Sequence, residues 1–158
     1  MTHAEILSLI NRSLVATLAY TDPSGRPDAR RVFCTWHRGV GRHLISTNLS
    51  SSHAQSLLRN SAACLYFADD TAFEGLCLHG RAQVRTDRGV KTVLWHPQDT
   101  MYYPGGIDDP DYCVIDFTAD DARYYRFDGK GDLTAAEIAE IDADCALEDG
   151  YAKTHGEA

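Results

Sequence analysis

Two adjacent arginines, Arg30 and Arg31, stand in the segment GRPDARRVF, residues 25–33. Successive side chains of a strand face opposite sides. Arg30 therefore shares a face with Val32, Cys34 and Trp36, and Arg31 with Phe33 and Thr35. One guanidinium must lie near a largely apolar face, where a charge is costly without a counter-ion. Phosphate suits it, because the planar fork bonds two oxygens at once. A carboxylate such as Asp28, or plain solvent exposure, is the simpler reading. A second segment, STNLSSSHA at 46–54, ends a strand in hydroxyl side chains and then opens a helix. A helix N-terminus offers free N–H groups and partial positive charge, which hold phosphate. Ser51 and Ser52 add hydroxyl donors, with ordinary capping as the competing use. The two segments fall on neighbouring hairpin strands, so together they could surround one anion.

The loop MYYPGGIDDPDY, 101–112, is the other unusual stretch. Pro104 and Pro110 stiffen it, Gly105 and Gly106 permit positive φ, and Asp108 or Asp109 can close an Asx turn. It reads as architecture shaping one wall of a cleft. A calcium site from Asp108, Asp109 and Asp111 is the sharper alternative, but it lacks the spaced ligands of an EF-hand. The five cysteines, Cys34, Cys64, Cys77, Cys113 and Cys145, include no CxxC pair. This argues against a disulfide framework or a zinc knot. His37, His43, His79 and His96 show no metal-ligand spacing, so no metal site is expected. GVG at 39–41 lacks the rest of a dinucleotide fingerprint. No general acid or base stands out, and no catalytic residue is assigned.

The elements around these residues are mostly strands. Thr2 with Glu5 is a capping box before a helix containing Ile6, Leu9 and Ile10. Strands are predicted at 13–20, 28–36, 43–48, 62–69, 75–86, 112–118 and 122–127, with a turn at DPSG and a bulge at Gly80. Short helices are predicted at 50–60, with an Ala54, Leu57, Leu58 stripe, and after Asp87. Thr134 with Glu137 opens a last helix. The reading is mainly β (α+β): about six antiparallel strands closing into a small barrel. Residues 1–130 form the barrel, and 131–158 a C-terminal helix and tail of the same domain.

The chain has 158 residues, 44% of them hydrophobic, and a net charge of −8. That suits one domain with one core. The acidic balance disfavours nucleic acid and anionic membrane as partners. The absence of a long apolar run and of a signal-peptide pattern points to the cytoplasm.

ATLAYTDPSGRPDARRVF, LISTNLSSSHAQSLLRN, ACLYFADD, LHGRAQVRTD, LW and YYPGGIDDPDYCVIDFT occur in this order over about residues 12–127. Together they resemble the pyridoxamine 5′-phosphate oxidase-like flavoproteins, in the general stress protein 26-like branch. The resemblance implies a split β-barrel homodimer with flavin mononucleotide (FMN) between subunits, acting as an oxidoreductase on a small molecule. It implies that Arg30, Thr47, Asn48 and Ser51 bind the FMN phosphate and that the backbone at Val32, Phe33 and Cys34 borders the flavin ring. The family lysine is His53 here, a residue about half charged near pH 6.5, so weaker and pH-dependent phosphate binding is expected. The substrate-binding C-terminal motifs of the vitamin B6 oxidase itself are missing from the sequence, which argues against that activity. A non-catalytic flavin-binding module, or a barrel holding haem or a deazaflavin, is the alternative.

Overall fold

The Thr2 hydroxyl accepts the Glu5 N–H while the Glu5 carboxylate accepts the Thr2 N–H. This box starts α1 (His3–Arg12), which buries Ile6, Leu9 and Ile10 along one stripe. The computed structural model describes residues 1–145 and the backbone of 151–152. The rest of the C-terminal tail read from sequence lies outside the described residues.

β1 (Val15–Thr21) and β2 (Pro27–Phe33) make a hairpin over the expected turn. There Asp22 accepts the Ser24 and Arg26 N–H groups, and Gly25 takes φ 86°. β2 ends at Phe33, short of the expected boundary. The chain re-enters the sheet as β3 (Trp36–Arg38) and turns at Gly39 (φ 64°) into β4 (Arg42–Asn48). α2 (Ser52–Arg59), β5 (Ala62–Asp69) and β6 (Glu74–Arg85) follow. The α2 stripe differs from the expected one. Leu58 is exposed, while His53 is buried with Ala54 and Leu57. α3 (Arg88–Leu94) is capped by Asp87, whose carboxylate accepts the Val90 N–H.

β7 (Tyr112–Arg126) is one strand where the sequence pattern suggested two. It continues through Asp120 and Asp121 because β6 pairs along its length, while β4 and then β8 (Gly129–Leu133) take the other side. The second capping box starts α4 (Ala135–Asp144). Asp142 on that helix accepts the Val40 and Gly41 N–H groups, fastening α4 to the β3–β4 turn. β9 (Tyr151–Ala152) pairs with β3.

Among the described residues nine strands form one antiparallel sheet, ordered β2-β1-β5-β6-β7-β4-β3-β9 with β8 beside β7. β2 and β4 are far apart in that order yet touch, so the sheet curls into a partial barrel. This is the expected split barrel with flanking helices. The strands beyond six include the short β3, β8 and β9. Leu18, Ile45, Leu65, Phe67, Leu76, Leu78 and Phe117 fill the inside with α1 and α4 residues. Burying each large side chain contributes roughly 1.5–3 kcal/mol. Leu44 and Val114, one residue out of phase with Ile45 and Ile115, face the other way. They pack with Trp36, Val90, Leu94, Tyr103 and Tyr112 beneath α3. Among the described residues no helix is long and apolar enough to cross a membrane.

Candidate anion-binding site

Arg30 lies opposite Leu18 in the hairpin, on the inner side of the sheet, but it remains exposed. The burial cost anticipated from its apolar strand neighbours is therefore avoided. Its Nη1 donates to His53 Nδ1 at 2.9 Å. On the far side of the ring, His53 Nε2 is 2.7 Å from Thr47 Oγ1 and 3.3 Å from Ser51 Oγ. Ser51 is also the N-cap of α2, its hydroxyl accepting the Ala54 N–H. The arginine of β2, the last turn of β4 and the start of α2 thus meet around one imidazole. Among the described residues Arg30 pairs with no carboxylate: Asp28 instead accepts the Tyr20 hydroxyl at 3.0 Å.

The guanidinium can only donate, so His53 Nδ1 carries a lone pair and the ring proton sits on Nε2, donated to Thr47. Burial, and secondarily the Arg30 charge, push the His53 pKa down to about 4. The half-charged histidine expected from sequence is therefore neutral at pH 7. It organises donors and brings no charge of its own. Arg30 remains the fixed cation, and the first turn of α2 adds its free N–H groups.

The 101–112 loop buttresses this turn. Asp111 accepts the Ser50 N–H at 2.7 Å, the Ser50 hydroxyl at 3.0 Å and the Asn48 amide at 2.9 Å, and these bonds hold its carboxyl below the usual range. Asp109 closes the loop on itself by accepting from Gly105 and Asp111 N–H groups. Asp108 pairs with Arg88. The carboxylates of the postulated calcium site are thus committed to three different structural tasks. Gly106 takes φ 75°, whereas Gly105 stays at −75°.

Not every sequence-picked residue joins the cluster. Asn48 turns its side chain to Asp111, and its Oδ1 accepts the Tyr103 hydroxyl at 3.4 Å. Ser52 is exposed, near the Tyr20 hydroxyl, which itself donates to Asp28. Val32 and Cys34 point into the core, with Cys34 Sγ 3.4 Å from His43 Nδ1, while Phe33 is 66% exposed. Tyr20 escaped the sequence reading, and Asp111 entered it only as a candidate calcium ligand. Tyr20, whose ring lies 6.4 Å from that of His53, has only its β1 position to announce it. Asp111 sits in a loop whose acidic residues look alike. The burial of His53 was accessible, because it is four residues before Leu57 on one helix face.

The profile described as pyridoxamine 5′-phosphate oxidase like matches residues 4–144. No curated protein shows significant similarity to the chain. Among solved structures, one from Clostridium acetobutylicum is a protein related to general stress protein 26 of Bacillus subtilis, of the pyridoxinephosphate oxidase family. It is 34% identical with a TM-score of 0.77, over 86% of this chain and 96% of that one. A haem-binding protein from Mycobacterium smegmatis shares the fold at 19% identity and TM-score 0.69, over 89% of this chain and 61% of that one. So does a pyridoxamine 5′-phosphate oxidase-related, FMN-binding protein from Nostoc punctiforme, at 14% and 0.60, over 82% and 87%. With the profile spanning nearly the whole chain and the split barrel in place, the chain belongs to the pyridoxamine 5′-phosphate oxidase-like family, in its general stress protein 26-like branch.

Proposed function

We propose that this protein binds FMN and works as a flavin-dependent oxidoreductase on a small molecule. The observation that carries this reading is the meeting of Arg30, Thr47 and Ser51 around neutral His53 at the start of α2. A phosphate monoester fits this group. The guanidinium is free of carboxylates among the described residues, the hydroxyls donate, and the helix terminus favours negative charge. Bound FMN supplies hydride acceptance at its N5. The chain's own residues grip the phosphate, while the backbone at Val32, Phe33 and Cys34 borders the ring. Asn48 acts one step back, through Asp111, and exposed Ser52 adds a hydroxyl at the start of α2. The FMN-binding relative from Nostoc punctiforme supports the choice of cofactor.

The working unit in this reading is a homodimer with flavin between subunits. Exposed Phe33, Met101 and Tyr102 (66, 74 and 69%) are suited to an apolar interface. Free cysteines suit a reducing cytoplasm. Titrating apoprotein with FMN and with riboflavin tests the phosphate grip. FMN should bind at least tenfold tighter, and equal affinities would remove Arg30 and its hydroxyl partners from the reading. The haem-binding relative from Mycobacterium smegmatis supports a second reading, in which haem takes the cleft. Stoichiometric haem uptake with no flavin uptake would favour that one.

A further inference from the structure

We infer that Cys64, Cys77 and His79, on the paired strands β5 and β6, form a binding site for a soft divalent cation, zinc foremost, with one coordination position left open. The antiparallel register sets Cys64 opposite His79, with Cys77 two residues before His79 on the same face. The two sulfurs and a ring nitrogen all lie within 4.8 Å of one another. Tetrahedral zinc, with sulfur at ~2.3 Å and nitrogen at ~2.0 Å, would separate those two ligands by roughly 3.5 Å. Cys77 Sγ and His79 Nε2 are already 3.5 Å apart.

A second contact prepares the imidazole. His79 Nδ1 is 2.6 Å from Asp121 Oδ1, on the facing strand β7. The carboxylate accepts the Nδ1 proton, so in the neutral ring Nε2 offers its lone pair toward the sulfurs. Metal-bound histidines are oriented by carboxylates in the same way. The β6 register shifts between His79 and Gly80, and this bulge helps aim the ring.

Two thiolates and an imidazole suit zinc better than magnesium or calcium. As each metal–sulfur bond forms, the thiol proton leaves to solvent. Two thiolates then balance the dication. Cys64, Cys77 and His79 are all half-buried, and a groove of about 470 Å³ runs past Cys64, His79, Gly80 and Arg81. The fourth position can therefore take water or a small ligand, as in zinc sites with three protein ligands.

Tag-free, chelator-treated, reduced protein titrated with Co²⁺ and then Zn²⁺ tests the inference independently of FMN. One equivalent of Co²⁺ should bind, with intense tetrahedral d–d bands and a thiolate charge-transfer band, and Zn²⁺ should displace it. Cys64→Ser and Cys77→Ser should each weaken that charge-transfer band by about half. Asp121→Asn should keep the bands but lower affinity 10- to 100-fold, in the range seen for such supporting carboxylates. His96→Gln, at an exposed residue outside the cluster, should change nothing. Circular dichroism of each variant reports folding separately. Absence of stoichiometric binding by folded, reduced wild-type protein, or spectra indifferent to both serine variants, would overturn the site.

Discussion

His53 and His79 are both tied to a charged residue through Nδ1, yet they end in opposite tautomers. At the start of α2, His53 Nδ1 faces Arg30, a group that only donates, so the ring proton is forced onto Nε2 and toward Thr47. On the β5–β6 face, His79 Nδ1 meets Asp121, a group that only accepts, so the lone pair is left on Nε2 toward two thiols. The first arrangement spends its imidazole on gathering donors for an anion. The second presents a ligand for a cation. The same side chain serves opposite chemistries according to the sign of the group behind it.

Gly80→Ala should produce the largest effect and separate the two regions. A Cβ there would stand 2.0 Å from the Thr118 carbonyl oxygen and 2.9 Å from Ala119 Cα, both backbone atoms. We expect a loss of about 3 kcal/mol or more in urea unfolding, together with weakened Co²⁺ binding and retained FMN binding in the folded fraction. An unchanged midpoint would mean the bulge is not constrained as described. Next comes acid stability. His53 titrates at about 4 when folded and near 6.5 when unfolded, so between those values the unfolded chain binds more protons. Its contribution is complete above about pH 6.5 and lost as pH falls through about 4, up to about 3 kcal/mol. His53→Gln should flatten the acid limb of the stability curve relative to wild type. Parallel curves would show that the ring is already charged in the folded protein.

Arg30→Ala should weaken FMN binding by about 2 kcal/mol, roughly 30-fold, and leave riboflavin binding unchanged. An equal loss for both ligands would make Arg30 a structural residue of the hairpin. The smallest expected effect is Asp111→Ala, which frees the Ser50 and Asn48 donors. It should cost about 1 kcal/mol of stability and loosen FMN binding severalfold, with the Co²⁺ site untouched. A matching change at the metal site would show that the two regions are coupled through β7, which pairs with both β4 and β6.

Local signals carried much of the fold. Thr2 with Glu5, Thr134 with Glu137, and Asp87 start helices where their side chains can bond nearby N–H groups. The Asp22 turn is equally local, and β5 falls on the residues its apolar pattern marked. Each depends on neighbours within a few residues, so a linear reading contains all the partners. Arg30 and the serine-rich turn were legible as a pair because a donor-rich helix start and a strand arginine share a taste for anions.

What escaped depended on pairing across the sheet. The continuity of β7 comes from β6 bridging two partner strands, and no signal within residues 112–126 announces it. Cys64, Cys77 and His79 show no ligand spacing along the chain and become neighbours only through the β5–β6 register. The charge of His53 follows from burial and from an arginine 23 residues away. The amino-acid sequence alone determined where helices begin, where the chain turns and which side chains can hold an anion, because those are properties of residues and near neighbours. Tertiary structure decided which of them meet and in which protonation state, because register and burial set the distances and dielectric that proton affinity and coordination require.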